Sequence, residues 1–176
     1  MILCFHEIGD QQNPYCITIS QFEKVIKEHP DAEIHFDDGR KGIMSVIPIL
    51  KELKRKATVF LVPRFLEGII PNQEKYSGFL DKSNVQELVN AGFEIGSHSY
   101  SHKDLTAINQ TELDMELIYS KKYLERIFNV PVTKFALPFG RVNAYVANEA
   151  RKIYSKVYSL ESDLAIQRKL VISANS

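Results

Sequence analysis

The sequence predicts an α/β fold: a compact, incomplete or distorted (β/α) barrel of about seven strands, in one domain over residues 1–176. Short apolar runs alternate along the chain with stretches of helical periodicity, the pattern of a largely parallel sheet covered by helices. About seven such runs in 176 residues suit a small barrel. The residues that carry chemistry follow directly on three of these runs, at the strand ends where parallel α/β sheets bind ligands. An open doubly wound sheet would place its ligands the same way and stays open as the alternative.

Ile2 to Phe5 is a continuous apolar run, read as a buried strand, and it ends in His6-Glu7. After a polar loop with Gly9, Asn13 and Pro14, Ser20 is expected to cap a helix from Gln21 to about Glu28, with Glu23 as its capping-box partner. Glu33 to Phe36 is the next strand and delivers Asp37 and Asp38. From Lys41 to Lys54 apolar residues recur with helical spacing, and Pro48 is expected to kink that run. Ala57 to Val62 is β-branched and aromatic, a strand, and 63 to 78 is loop-like. A helix starts at Asp81 or Ser83, carries Val85, Leu88 and Val89 on one face, and stops at Gly92.

The strand Phe93 to Gly96 leads into Ser97-His98-Ser99-Tyr100-Ser101-His102. A longer helix runs from Asn109 to about Phe128, with Leu113, Leu117, Leu124 and Phe128 on one face. Val132 to Leu137 is a strand ending in Pro138-Phe139-Gly140. A helix from Asn143 to Lys152 and strands at Lys156 to Leu160 and Leu170 to Ile172 complete the chain.

A hydrophobic fraction of 44% is enough for a sizeable core. Lys plus Arg equals Asp plus Glu at 22 each, so there is no electrostatic case for nucleic acid or an anionic membrane surface. No apolar run approaches membrane-spanning length. Cys4 and Cys16 make no disulfide framework, and Cys4, inside an apolar run, reads as a small buried residue. The start has no basic n-region and no signal-length apolar segment, so the expected location is cytoplasmic, although a trimmed leader would leave the same reading.

Two adjacent carboxylates, Asp37 and Asp38, end an apolar strand and precede Gly39. Neighbours on a strand point to opposite faces, so a turn is needed to bring both to one site. Taken alone, the pair reads first as a strand-to-helix loop with an Asp at the helix N-cap. His98 and His102 lie four apart directly after another strand. With a carboxylate from a neighbouring strand end they make a two-His, one-carboxylate set, which leaves positions open for water and substrate.

In these motifs the chain resembles the polysaccharide deacetylases of the NodB-homology type, carbohydrate esterase family four. His35-Phe36-Asp37-Asp38-Gly39 is similar to their first motif, T-F-D-D-G, except at its first position. His98-Ser99-Tyr100-Ser101-His102 matches their second, and Ala136-Leu137-Pro138-Phe139-Gly140 matches part of their third. The resemblance implies removal of N-acetyl groups from an acetylated sugar or polysaccharide. It implies Asp38, His98 and His102 as ligands of a divalent metal, with zinc the first candidate, and Asp37 as general base. It further implies an oxyanion donor at the backbone of Phe139, in a turn shaped by Pro138 and Gly140.

Three positions depart from the family pattern. The arginine of the third motif is replaced by Ala136, for which Arg141 or Arg168 could substitute. The Leu-x-His motif that supplies the general acid would fall at Leu170-Val171-Ile172-Ser173, and no histidine follows His102. The chain has no tryptophan, so the fourth motif's Trp is also missing. His6, at a neighbouring strand end, is either an ordinary strand-end histidine or a substitute acid. The missing acid motivates a second reading, a catalytically impaired relative that binds metal or glycan.

Overall fold

The computed structural model describes residues 1–10, 12–70, 78–160, 167, 168, 170 and 171. Strand β1 (Ile2–Phe5) is followed by β2 (Glu7–Ile8), β3 (Cys16–Ile17), helix α1 (Ile19–Glu28) and β4 (Glu33–Phe36). A 3₁₀ segment at Lys41–Val46 runs into α2 (Ile47–Glu52), then β5 (Ala57–Leu61), the single turn α3 (Pro63–Leu66), α4 (Lys82–Asn90) and β6 (Glu94–Ser97). Helix α5 (Gln110–Asp114), a π turn (Met115–Tyr119) and α6 (Ser120–Phe128) follow one another without a break. Then come β7 (Lys134–Ala136), α7 (Ala144–Ile153), β8 (Lys156–Ser159), β9 (Gln167–Arg168) and β10 (Leu170–Val171).

The main sheet has eight strands in the order β10-β1-β4-β5-β6-β7-β8-β9, and β2 pairs β3 in a separate ladder. Every pairing in the main sheet is parallel. Its two edge strands, β9 and β10, fall within one span of five residues, 167 to 171. Gln167 and Arg168 pair with Tyr158 and Ser159 of β8, while Leu170 and Val171 pair with Leu3 and Cys4 of β1. One short segment therefore touches both edges, and the sheet curls into an α/β barrel. Closure through two-residue ladders makes it the incomplete barrel that was expected. An open doubly wound sheet is ruled out, because its edges would lie far apart. The main sheet has one strand more than the expected seven, since the last segment pairs twice.

Alternation sorts the strand residues into two environments. Leu3, Phe5, Ile34, Phe36, Val59 and Ile95 join the main core with the helices, including Phe22 and Ile26 of α1. Burying each of those two side chains contributes about 1.5–3 kcal/mol and holds α1 on the sheet. The opposite face turns to the barrel axis, where Phe60, Ala136 and Tyr158 form their own cluster. His35 packs there, 5.1 Å from the Phe60 ring and 4.6 Å from Tyr158, as a structural residue. Gly96 gives Phe60 its space: a Cβ at that position would lie 2.5 Å from the ring. These rings fill the barrel below the C-terminal strand ends.

Several boundaries differ from the sequence reading. Thr18, not Ser20, caps α1: its hydroxyl accepts from Gln21 N–H at 3.1 Å, and the Gln21 side chain accepts from Thr18 N–H at 2.8 Å. Both Thr-x-x-Gln and Ser-x-x-Glu satisfy the capping-box pattern, and the chain uses the earlier one. Pro48 kinks nothing; it lies in the first turn of α2, where a missing N–H costs no hydrogen bond. The expected loop at 63–78 begins with the α3 turn, and its residues 71–77 lie outside the described residues. Among the described residues, no helix is long and apolar enough to cross a membrane.

Candidate active site

The ends of strands β4, β6 and β7, with the turns that follow them, meet at the C-terminal mouth of the barrel. Asp37 still behaves as a strand residue, its N–H donating to Phe5 O at 2.9 Å. Its side chain is buried, and the Cys4 thiol donates to Asp37 Oδ2 at 3.2 Å. Asp38 then turns to φ +68° and Gly39 to φ +72°. That left-handed turn breaks the strand alternation and swings Asp38 toward the same mouth.

Asp38 Oδ1 lies 3.3 Å from Nε2 of His98 and 3.3 Å from Nε2 of His102. One donor atom from each of the three residues falls within 4.8 Å of the others, a spacing that could hold a metal ion. His98 Nδ1 is 2.8 Å from the carbonyl oxygen of Ala136. A carbonyl can only accept, so Nδ1 donates to it and Nε2 is the nitrogen turned to Asp38, the atom through which the ring would ligate a metal once it gives up its hydrogen. Burial pushes the Asp38 carboxyl up, but hydrogen bonds from His102 and His98 and the charge on His102 outweigh it. The group is held well below the usual carboxylate range.

The turn carrying His102 is held from below. Ser99 Oγ accepts from His102 N–H at 2.9 Å. Glu116, buried, accepts from Ser101 N–H at 2.8 Å and from the Ser101 hydroxyl at 2.5 Å. Glu116 belongs to the π turn, where the regular helical ladder is interrupted. Side chains satisfy the carbonyls there: Ser120 Oγ donates to Glu116 O at 2.7 Å, and the Tyr154 hydroxyl donates to Leu117 O at 2.7 Å. The expected long helix thus contains a π turn in its middle, and that turn supports the site.

At the third strand end, Phe139 takes φ +58° and Gly140 φ +67°. A Cβ on Gly140 would lie 2.5 Å from Leu160 Cβ, so only glycine fits. Pro138 is buried, while the Phe139 ring is 54% exposed and lies edge-on to His102 at 4.7 Å. Asp38, Ser99, His102 and Phe139 all have positive φ, with Lys54 and Asn129 the other non-glycine cases among the described residues. Left-handed non-glycine residues cost of order 1–3 kcal/mol each and gather at functional sites.

Sequence reasoning missed three contributors. Arg40 Nε is 4.0 Å from Asp38 Oδ2, and its guanidinium lies 4.4 Å over the Phe79 ring. Its only sequence signal is its place two residues beyond the acidic pair. Cys4 is the small buried residue that was expected, and its contact with Asp37 is what the sequence did not show; Glu116 carries no sequence signal beyond its place in the expected long helix. His6, by contrast, was placed at a strand end, and the structure brings it to Asp37. Donor atoms of Cys4, His6 and Asp37 all lie within 4.8 Å of one another. Arg141 pairs with Asp104 at 2.6 Å and lies 5.8 Å from the Phe139 ring. Arg168 sits in β9 with its side chain outside the described residues, as do residues 172 and 173 of the region matching the Leu-x-His motif.

Comparison with known proteins was made against this geometry. The chain is similar to a peptidoglycan-N-acetylglucosamine deacetylase of Bacillus cereus, 27% identical over 114 residues, which are 64% of this chain and 37% of that protein. The chain thus spans well under half the length of that curated relative. Among solved structures, a polysaccharide deacetylase from Bacillus cereus superposes with a TM-score of 0.82 at 24% identity, covering 99% of this chain and 65% of that one. A Streptococcus pyogenes deacetylase in complex with acetate gives a TM-score of 0.82 at 20% identity, covering 99% and 92%. At these identities the two structures share the fold. The sequence pattern described as polysaccharide deacetylase matches residues 24–157, a span that takes in the acidic pair, both histidines and the Pro-Phe-Gly turn but not Cys4 or His6. By that match, the chain belongs to the polysaccharide deacetylase family.

Proposed function

We propose that this chain is a metal-dependent hydrolase that removes N-acetyl groups from an acetylated sugar or polysaccharide. The observation that carries the reading is Asp38 Oδ1 at 3.3 Å from both histidine Nε2 atoms, with a second buried carboxylate, Asp37, next to it. Two imidazoles and a carboxylate fit zinc, and the Nδ1 bond of His98 to Ala136 O leaves its Nε2 ready to ligate. Bound there, a divalent ion would acidify water and polarise the acetyl carbonyl.

Asp37 accepts the proton of the attacking water at its carboxylate, and the Cys4 thiol holds that carboxylate in place. The backbone N–H of Phe139 donates to the oxyanion as the acetyl carbon becomes tetrahedral. His6 donates a proton to the departing nitrogen, taking the part of the Leu-x-His histidine, whose matching position here is Ile172. The C–N bond breaks, and acetate and a free amino sugar leave. The exposed ring of Phe139 offers the sugar an apolar face at the mouth. Similarity to the peptidoglycan-N-acetylglucosamine deacetylase of Bacillus cereus supports an N-acetylated glycan as the substrate class.

The test is acetate release from N-acetylated chito-oligosaccharides, with metal content measured after dialysis. Turnover by zinc-loaded protein, bound metal lost in His98→Ala, and an Asp37→Asn variant that keeps metal but slows by about 10²–10⁴-fold are expected. Protein that retains no metal after incubation with excess zinc overturns the reading. A second reading, a glycan-binding relative without turnover, is favoured by Ile172 at the position that matches the histidine of the Leu-x-His motif. It expects glycan binding indifferent to Asp37→Asn and no acetate from any acetylated sugar.

A further inference from the structure

We propose that the barrel mouth holds a second metal site, built from the Cys4 thiolate, the His6 imidazole and the Asp37 carboxylate, which takes zinc or another thiophilic divalent cation and stops turnover when filled. The three residues come from the adjacent strands β1 and β4. Cys4 and His6 are two apart and so face the same side. Their donor atoms and a carboxylate oxygen of Asp37 lie within 4.8 Å of one another, as do those of Asp38, His98 and His102.

The chemistry of this set differs from that of its neighbour. Thiolate, imidazole and carboxylate together favour zinc and similar ions, whereas hard ions such as magnesium avoid sulfur. Cys4 Sγ and Asp37 Oδ2 are 3.2 Å apart with the thiol proton between them. A cation can take that proton's place, releasing it to solvent. His6 Nδ1 is buried and has no hydrogen-bond partner among the described residues. A buried polar atom left so calls for a ligand, an ion or water. Cys4 is fully buried and Asp37 nearly so, while His6 is part-exposed and marks the way in.

Asp37 and Asp38 are adjacent, so two cations held there repel each other. The second site therefore fills after the first, at excess metal. Filling it occupies Asp37 and His6 together. Inhibition rests on the roles proposed for those two residues above; metal binding by the site does not.

Cobalt titration of metal-free protein tests the site, because only a sulfur ligand gives a thiolate-to-cobalt charge-transfer band in the near ultraviolet. The first equivalent, on Asp38, His98 and His102, is expected to give visible ligand-field bands alone. Further cobalt should bring in a saturable charge-transfer band that excess zinc bleaches. Cys4→Ser should abolish the band, and His6→Ala should weaken the second binding by at least about tenfold, the loss typical even for outer-shell partners of metal ligands. His98→Ala should remove the first equivalent and keep the band. In turnover, the fraction of activity lost to excess zinc should vanish in Cys4→Ser, whatever the basal rate of that variant. No charge-transfer band at any cobalt excess in the unaltered protein overturns the proposal, as does a band that survives Cys4→Ser and so belongs to Cys16. A band without acetate release would refute the deacetylase reading alone, and acetate release without a band would refute the second site alone.

Discussion

Asp37 and Asp38 differ by one backbone rotation, and that rotation separates their duties. Asp37 stays on the strand, under the Cys4 thiol, while Asp38 turns left-handed toward the histidines. The acid role proposed for His6 makes a prediction at this scale. His6→Gln should slow N-acetyl hydrolysis by roughly 10²-fold or more with KM little changed. An activated ester such as 4-nitrophenyl acetate, whose leaving group needs no proton, should lose far less; equal losses on both substrates would mean that His6 is merely structural. Asp38 makes a second prediction. Its carboxyl is held well below the usual range in the metal-free fold. A depressed carboxylate stabilises the fold above the unfolded-state pKa of about 4, and that contribution fades as pH falls through the folded-state value. Metal-free protein should therefore lose stability on acidification more steeply than Asp38→Asn, as read by thermal unfolding from neutral to acid pH.

At the scale of the element, the π turn between α5 and α6 is the device that reaches the site. It places Glu116 beneath the turn that carries His102, where it accepts two hydrogen bonds from Ser101. Glu116→Ala leaves those two donors without their acceptor and should destabilise the protein by about 1–3 kcal/mol in urea unfolding. Zinc affinity, measured against a competing chelator, should fall with it, because His102 loses its fixed position. Glu116→Gln keeps an acceptor and should restore part of both. Full zinc affinity in Glu116→Ala would show that the turn holds its shape unaided.

For the whole molecule, the barrel brings Asp38 together with His98 and His102, 60 or more residues further along the chain, so metal binding proposed there would be linked to folding. Zinc at about 1,000 times its Kd should add about 4 kcal/mol of stability, seen as a raised Tm in calorimetry. Chelation should reverse the shift, and His102→Ala should abolish it. The segment at 167–171 joins β8 to β1, so both ends of the chain contribute to closing the ring around the site.

The alternation of strands and helices, the burial of Cys4 and the acidic and histidine motifs were all legible in the sequence. Each is written locally, as an apolar run, a period or a short spacing. Neighbourhood across the sheet is not local. Alternation says which face Cys4 occupies, but only the parallel pairing of β1 with β4 sets its sulfur on Asp37, 33 residues away. The same holds for His6 beside Asp37 and for Glu116 under Ser101. Barrel closure was undecidable because two-residue ladders leave almost no pattern. The acidic pair and the two histidines were determined by sequence alone. That Asp38 joins the histidines while Asp37 joins Cys4 and His6 was decided by tertiary structure, through one left-handed residue and the register of parallel strands.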